Sequence, residues 1–149
     1  MSTQHREPEA LNAVKKFHTL FDAYIWDAPH MPAKNICDLR INLLQEELDE
    51  FKQAIADGDL VEAADALADM QYVLSGAILS FGMQDIFADL FDEVQRSNMS
   101  KACNTMEEAK ATQTKYLKLD QPSSIVQKWE KFLVIRDEDQ KILKWILKV

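Results

Sequence analysis

Between Asp59 and Gly82 the chain carries no proline and a single glycine, and its apolar residues fall nearly all round a helical wheel. A helix apolar on every side belongs in the interior of a fold. This one nevertheless carries Glu62, Asp65 and Asp69, which lie within about 60° of one another on the wheel. An unpaired carboxylate is costly to bury unless a cation or hydrogen bonds compensate it. No Lys, Arg or His occurs from Gln53 to Gln95, so local salt bridges are excluded for Asp65 and Asp69. A bound divalent cation is the economical solution. Carboxylate oxygens without His or Cys suit Mg²⁺, with Mn²⁺ as the alternative.

The rest of the chain repeats the same economy of breakers, with 3 Gly and 4 Pro in 149 residues. Pro8 opens a first helical pattern through Leu11, Val14, Phe17 and Phe21. The linker from Asp22 to Lys34 holds Tyr24, Ile25 and Trp26, too apolar for a free loop, and is expected to pack on the body. A second helix is predicted from about Asn35 to Ala56, with Leu44, Leu48, Phe51 and Ile55 as its apolar stripe and Gly58 as its stop. Asp59 and Glu62 make a capping box for the third helix, which runs to about Phe81. A fourth helix is predicted over about Gln84 to Ala102 with Ile86, Phe87, Leu90, Phe91 and Val94 inward. Thr105 and Glu108 cap a fifth that ends near Tyr116. The tail, Ile125–Lys131, Phe132–Arg136 and Ile142–Leu147, is rich in β-branched and aromatic residues, and Asp137–Gln140 divides its last two runs. These readings give an all-α fold. It is an antiparallel helix bundle of about five helices with a C-terminal β-hairpin appended, one domain over 1–149, its helical core at about 9–116 and its hairpin at about 124–148.

With 17 basic and 25 acidic residues the net charge is −8, which argues against nucleic acid as a partner. No run approaches the roughly 20 apolar residues of a membrane span, and the N-terminus is polar, so a cytoplasmic protein is expected. Cys37 and Cys103 make neither a zinc spacing nor a disulfide framework.

The second helix adds its own acids. With its apolar stripe set at zero, Glu47 lies about 60° to one side, Glu50 about 120° and Glu46 about 160°. Taken alone, such a wedge is as well explained by a solvated face. The link Asp57-Gly58-Asp59 is so short that the two helices must be antiparallel neighbours, which turns both acidic wedges toward one cleft. Glu47, nearest the buried stripe, is the candidate general base, because partial burial raises a carboxylate pKa. Asn98 and Lys101 share a helical face with Val94, so they are expected to point inward and to grip phosphate. For Lys101 the alternative is a solvated helix end that complements the dipole. Tyr72 continues the acidic stripe of the third helix; with Phe17, His18 and Trp26 it is a candidate for a base pocket, as well as for ordinary core packing. The small residues Ala63, Ala66, Gly76 and Ala77 would let another helix approach, so a homo-oligomer is expected, a homodimer or a dimer of dimers.

Glu46-Glu47-x-x-Glu50 followed by an acidic pair on the next helix resembles the signature of the all-α nucleoside triphosphate pyrophosphohydrolases, the superfamily of the MazG-like enzymes, phosphoribosyl-ATP pyrophosphohydrolase and the dimeric dUTPases. Asp65-Ala-Leu-Ala-Asp69-Met-Gln-Tyr72-Val is similar to its second acidic motif, and Phe91 to Lys101 is similar to a segment that some members use to hold nucleotide phosphates. The second motif is commonly Glu-x-x-Asp. With Asp69 as its Asp, the Glu position is occupied by Ala66, and Asp65 or Glu62 supplies the missing oxygen; alternatively Glu62-x-x-Asp65 is the motif. The resemblance implies metal-dependent cleavage of a nucleoside triphosphate, most simply a dNTP, to the monophosphate and pyrophosphate, in nucleotide-pool house-cleaning. Glu46, Glu47, Glu50, Asp65 and Asp69 then hold the metal. The alternatives are a dUTPase, a phosphoribosyl-ATP pyrophosphohydrolase, or a helical dimerisation or regulatory module that has lost catalysis.

Overall fold

The computed structural model describes residues 4–144. Five helices and one β-hairpin follow in chain order, as the sequence predicts for its helical body. The chain divides into two compact units, residues 1–88 and 89–149.

In the first unit, α1 spans Ala10–Leu20, α2 Lys34–Asp57 and α3 Leu60–Ser80. The α2–α3 turn is built as the sequence requires. Gly58 takes φ 68°, and Gly58 N–H and Asp59 N–H donate back to Ile55 O and Ala54 O at 3.2 and 2.9 Å. Asp59 Oδ1 then accepts from Val61 N–H and Glu62 N–H at 3.0 and 3.1 Å, capping α3. The expected return bond from Glu62 does not form, because the Asp59 N–H it would accept is already engaged by Ala54 O.

The linker after α1 packs on the body, as its apolar residues require. Trp26 N–H donates to Leu79 O at 3.0 Å and His30 N–H to Phe81 O at 3.1 Å, so residues 24–30 strap the C-terminal end of α3. Tyr24 and Trp26 stack with centroids 6.1 Å apart and planes at 6°.

One expectation for α3 needs correction. Its buried residues are Ala66, Ser75, Gly76, Ile78, Leu79 and Ser80, whereas Leu60, Val61 and Leu67 are exposed. The helix is therefore covered over its second half and open along its first. The reason is the supply of cover: α1 and α2 are the elements that pack against it.

In the second unit, α4 spans Phe87–Met99 (its first turn reaching across the division), α5 Met106–Leu117, β1 Ser123–Lys128 and β2 Lys131–Arg136. The strands pair antiparallel from Ser123↔Arg136 to Lys128↔Lys131, so the hairpin turns at Trp129-Glu130. The Asp137–Gln140 turn is followed by a single bridge, Ile135↔Ile142, in place of a third strand; residues 145–147 of the predicted third run lie outside those described. Cys103, Ala109, Val134 and Leu143 form this unit's core, with Tyr116, Ile125 and Phe132 packed on it. Thr105 Oγ1 caps α5 through Glu108 N–H at 3.2 Å, and the Glu108 carboxylate accepts from Asn104 N–H at 2.7 Å. α4 differs from its sequence expectation in two respects. The helix ends at Met99 rather than near Ala102, because Cys103 exchanges backbone bonds with Phe132 (2.8 and 2.9 Å) and draws the chain away. None of its residues is buried, and Val94 is 57% exposed, so Val94 is not the core residue that the periodicity implied.

Candidate active site

Antiparallel pairing about Gly58 gives the α2–α3 groove a simple register. Residues equally distant from Gly58 face one another, and Glu47 and Asp69 are each eleven residues from it. The charges that act on Glu47 agree with this register. The Glu47 carboxyl is held above its ordinary range, first by burial and then by the charges of Asp69, Glu50, Glu46 and Asp65. All five sequence-predicted metal ligands are thus within electrostatic reach of one side chain. Glu62 is not among the charges that act on Glu47.

Glu47 and Asp69 are half-buried; Glu46, Glu50 and Asp65 are exposed. Glu47 Oε2 is buried and has no hydrogen-bond partner. The ion pairs among the described residues (Lys34–Asp38, Lys52–Asp49, Arg96–Glu93 and Arg136–Asp139) include none of these five acids. Like charges without a cation repel and splay, and among the described residues no three His, Cys, Asp or Glu side chains converge as a ready-made ion cage. This end of the groove is therefore rich in hard oxygen donors and has an orphaned buried carboxylate oxygen at its centre, and its acids are paired with no basic side chain among the described residues.

Tyr72 follows Asp69 by three residues, on the same face of α3, and packs edge-on against Phe17 of α1 at 5.7 Å. Asn98 and Lys101 fall in the second unit. Asn98 is exposed and Lys101 half-buried beyond the end of α4. With Val94 exposed, the argument that aimed both inward no longer holds. A shallow concavity on α1, lined by Glu9, Asn12, Lys15, Lys16, Thr19 and Leu20, contains none of the acids.

The sequence reading missed Arg40. It sits seven residues before Glu47 on α2, close to the same face, and faces Gly76, seven residues after Asp69 on α3. Arg40 is 7% exposed and has no carboxylate beside it; its Nε donates to Ser80 Oγ at 2.9 Å, and Ser80 Oγ donates to Tyr24 O at 3.2 Å. His18, 3% exposed, places Nδ1 3.2 Å from the same Tyr24 carbonyl. Burial, then the Arg40 charge, hold His18 below its ordinary range; the Tyr24 bond opposes them. The available signal was a lone cation one heptad before the acidic motif.

No helix among the described residues is long and apolar enough to cross a membrane. In comparisons with known proteins, no curated protein matches the chain. The family model for phosphoribosyl-ATP pyrophosphohydrolase matches residues 14–98, from the middle of α1 through α2 and α3 into α4, and so takes in the whole acidic groove. The chain belongs to the phosphoribosyl-ATP pyrophosphohydrolase family, within the MazG-like all-α pyrophosphohydrolases, and is a hydrolase acting on acid anhydrides.

Proposed function

We propose that this chain cleaves a nucleoside triphosphate, most simply a deoxynucleoside triphosphate, between its α- and β-phosphates. The observation that carries the reading is the orphaned Glu47 Oε2, acted on by four neighbouring carboxylates, none of the five acids having an ion-pair partner among the described residues. The donor set fits Mg²⁺, and Mn²⁺ equally, because both favour carboxylate oxygen. Glu46, Glu47, Glu50, Asp65 and Asp69 would hold it. Asp65 is preferred to Glu62 as the companion of Asp69, since Asp65 acts on Glu47 and Glu62 does not. Bound Mg²⁺ would ease deprotonation of the attacking water and neutralise charge on the leaving pyrophosphate.

The protein's own contribution is positional. Glu47 is the most deeply set acid of α2 in the cluster, and its raised pKa suits a group that takes a proton from water. Tyr72, one turn beyond Asp69 and packed edge-on against Phe17, would meet the sugar or base next to the α-phosphate. Asn98 and Lys101 remain candidates for phosphate contacts through their motif. The uncovered apolar residues of α3 and α4 fit assembly into a homodimer or a dimer of dimers. A role in nucleotide-pool house-cleaning, in the cytoplasm, follows from this reading.

The test is product analysis. Incubation with nucleoside triphosphates and Mg²⁺ should release pyrophosphate and monophosphate, and chelation should stop the release. Orthophosphate with diphosphate, or equal turnover in excess chelator, would refute the reading.

A further inference from the structure

Arg40 and His18 form a second rung in the α2–α3 groove, and it differs in kind from the first. Arg40 and Gly76 are each eighteen residues from Gly58, against eleven for Glu47 and Asp69. The seven-residue difference displaces the rung about 10 Å along both helices on nearly the same face. Tyr72 lies between the two rungs, three residues after Asp69 and four before Gly76. That displacement matches the reach of a nucleoside from its α-phosphate to the hydrogen-bonding edge of its base.

The polar atoms of the rung have a defined sense. Arg40 is oriented by its Nε bond to Ser80. Its Nη1 and Nη2 have no hydrogen-bond partner among the described residues and are not sealed from solvent. They can only donate. His18 Nδ1 faces the Tyr24 carbonyl, so Nδ1 carries the hydrogen and donates. The neutral ring is the favoured form, which leaves a lone pair on Nε2, likewise without a hydrogen-bond partner among the described residues. Arg40 Nη1 and His18 Nε2 each lie 3.0 Å from the point that a Cβ on Gly76 would occupy. A donor and an acceptor therefore both border the position that a side chain on Gly76 would take. Both residues are more than nine-tenths buried, and their unpartnered nitrogens are the polar atoms left to meet a ligand.

We infer that Arg40 and His18 read the nucleobase and select a lactam edge, a ring carbonyl beside a ring N–H, as uracil, thymine, guanine and hypoxanthine present. The carbonyl accepts from Arg40 and the N–H donates to His18 Nε2. Cytosine and adenine offer a bare ring nitrogen where Nε2 needs a donor, so two lone pairs would face each other. A phosphate group is a poorer occupant, because it has no hydrogen to give Nε2. The inference rests on the proposed triphosphate cleavage and adds its base specificity.

The experiment compares kcat/KM for dUTP, dTTP, dGTP and dITP with that for dCTP and dATP, by pyrophosphate release in Mg²⁺. At least one lactam base should be preferred over dCTP and dATP by about 10- to 100-fold, the discrimination of one good bidentate pair. Gly76→Ala places a methyl group between Arg40 and His18 while favouring the helix, so it should fold. Its lactam preference should collapse toward unity, and its Mg²⁺-induced rise in Tm should persist. Titration calorimetry with dUMP and dCMP supplies a readout without turnover, and dUMP should bind more tightly. If no triphosphate is cleaved, the proposed function fails. If triphosphates are cleaved but dCTP or dATP is preferred, if no preference appears, or if Gly76→Ala keeps the full preference, the base-reading inference is wrong. Cleavage of phosphoribosyl-ATP in preference to every lactam nucleotide would overturn it as well.

Discussion

Gly82→Ala should be far more damaging than Gly58→Ala, although the two glycines have nearly the same backbone. Their φ values are 67° and 68°, and an alanine in that left-handed region costs about 1 kcal/mol at either position. They differ in what a Cβ would meet. At Gly58 nothing lies within 4 Å. At Gly82 the Cβ would stand 2.0 Å from Ala28 O, 2.5 Å from Ala28 C and 3.0 Å from Ala28 N, all of it backbone. A carbon–oxygen contact relaxes only at about 3.3 Å, so the 24–30 strap must retreat by more than 1 Å. That retreat strains the bonds from Trp26 N–H to Leu79 O and from His30 N–H to Phe81 O, each contributing about 1 kcal/mol. Gly82→Ala should therefore cost about 3–4 kcal/mol in total. At roughly 2–4 °C per kcal/mol for a chain of this size, Tm should fall by about 10 °C, against about 3 °C for Gly58→Ala. Scanning calorimetry of both variants beside the parent measures the difference. Equal shifts would mean that the strap is not seated on α3 as described, and the Tyr24 carbonyl could not orient His18 and Ser80.

Other consequences follow from the acidic groove and the apolar faces. Glu47→Gln should lower kcat by about 10²–10⁴-fold with little change in substrate affinity. Excess Mg²⁺ should not rescue it, whereas it should partly rescue Glu46→Gln and Glu50→Gln; rescue of Glu47→Gln to parental turnover would make Glu47 a ligand only. Asp69→Asn should greatly weaken Mg²⁺ or Mn²⁺ binding in titration calorimetry and remove the metal-induced rise in Tm, and an unchanged isotherm would take Asp69 out of the site. Light scattering at micromolar concentration should give at least twice the 17.1 kDa of one chain, and a monomer mass would show that the exposed apolar residues of α3 and α4 are not an assembly surface. His18 is held below its ordinary value of 6.5, so the stability from keeping it neutral is whole above pH 6.5 and is lost as pH falls below 6.5 toward the folded value. Beside it lie the Arg40 cation and the Tyr24 carbonyl. His18→Gln should flatten this part of the Tm–pH curve, and an identical slope in parent and variant would refute the assignment.

The helices were legible because glycine and proline are few and, Gly76 within α3 apart, fall outside the helices, and the Asp57-Gly58-Asp59 turn alone fixed α2 against α3. The acid cluster was legible for the same reason, since wheel angles and one short turn determine which carboxylates meet. Other features are set by competition that the sequence does not display. Glu62 reads as a capping partner, but Ala54 O takes the Asp59 N–H first. The hairpin is legible in the tail's composition but its turn is not: the turn is made at Trp129, a non-glycine residue at φ 51°, which no residue-type preference signals. The periodicity of α4 is real, but periodicity identifies an apolar face and not whether anything covers it. Arg40 lies outside the cation-free stretch from Gln53 to Gln95, and the heptad relation that ties it to Glu47 points backwards along α2.

The α2–α3 hairpin converts distance from Gly58 into height along a groove. The proposed chemistry and the proposed recognition then fall at different heights on one pair of helices: the Glu47–Asp69 pair eleven residues from the turn, and the Arg40–Gly76 rung eighteen residues from it. Neither rung shares a hydrogen bond with the other. The second is oriented from Ser80, Tyr24 and α1, whereas the first depends on its own carboxylates and whatever cation they gather. On the base-reading inference, substitutions around Arg40 and His18 would change which base is accepted without disturbing the acids. That independence follows from the register of one helical hairpin. The limit on it is the turn itself. A residue inserted in α2 between Arg40 and Glu47 would rotate one rung by about 100° relative to the other and destroy their common face, while the helices themselves survived.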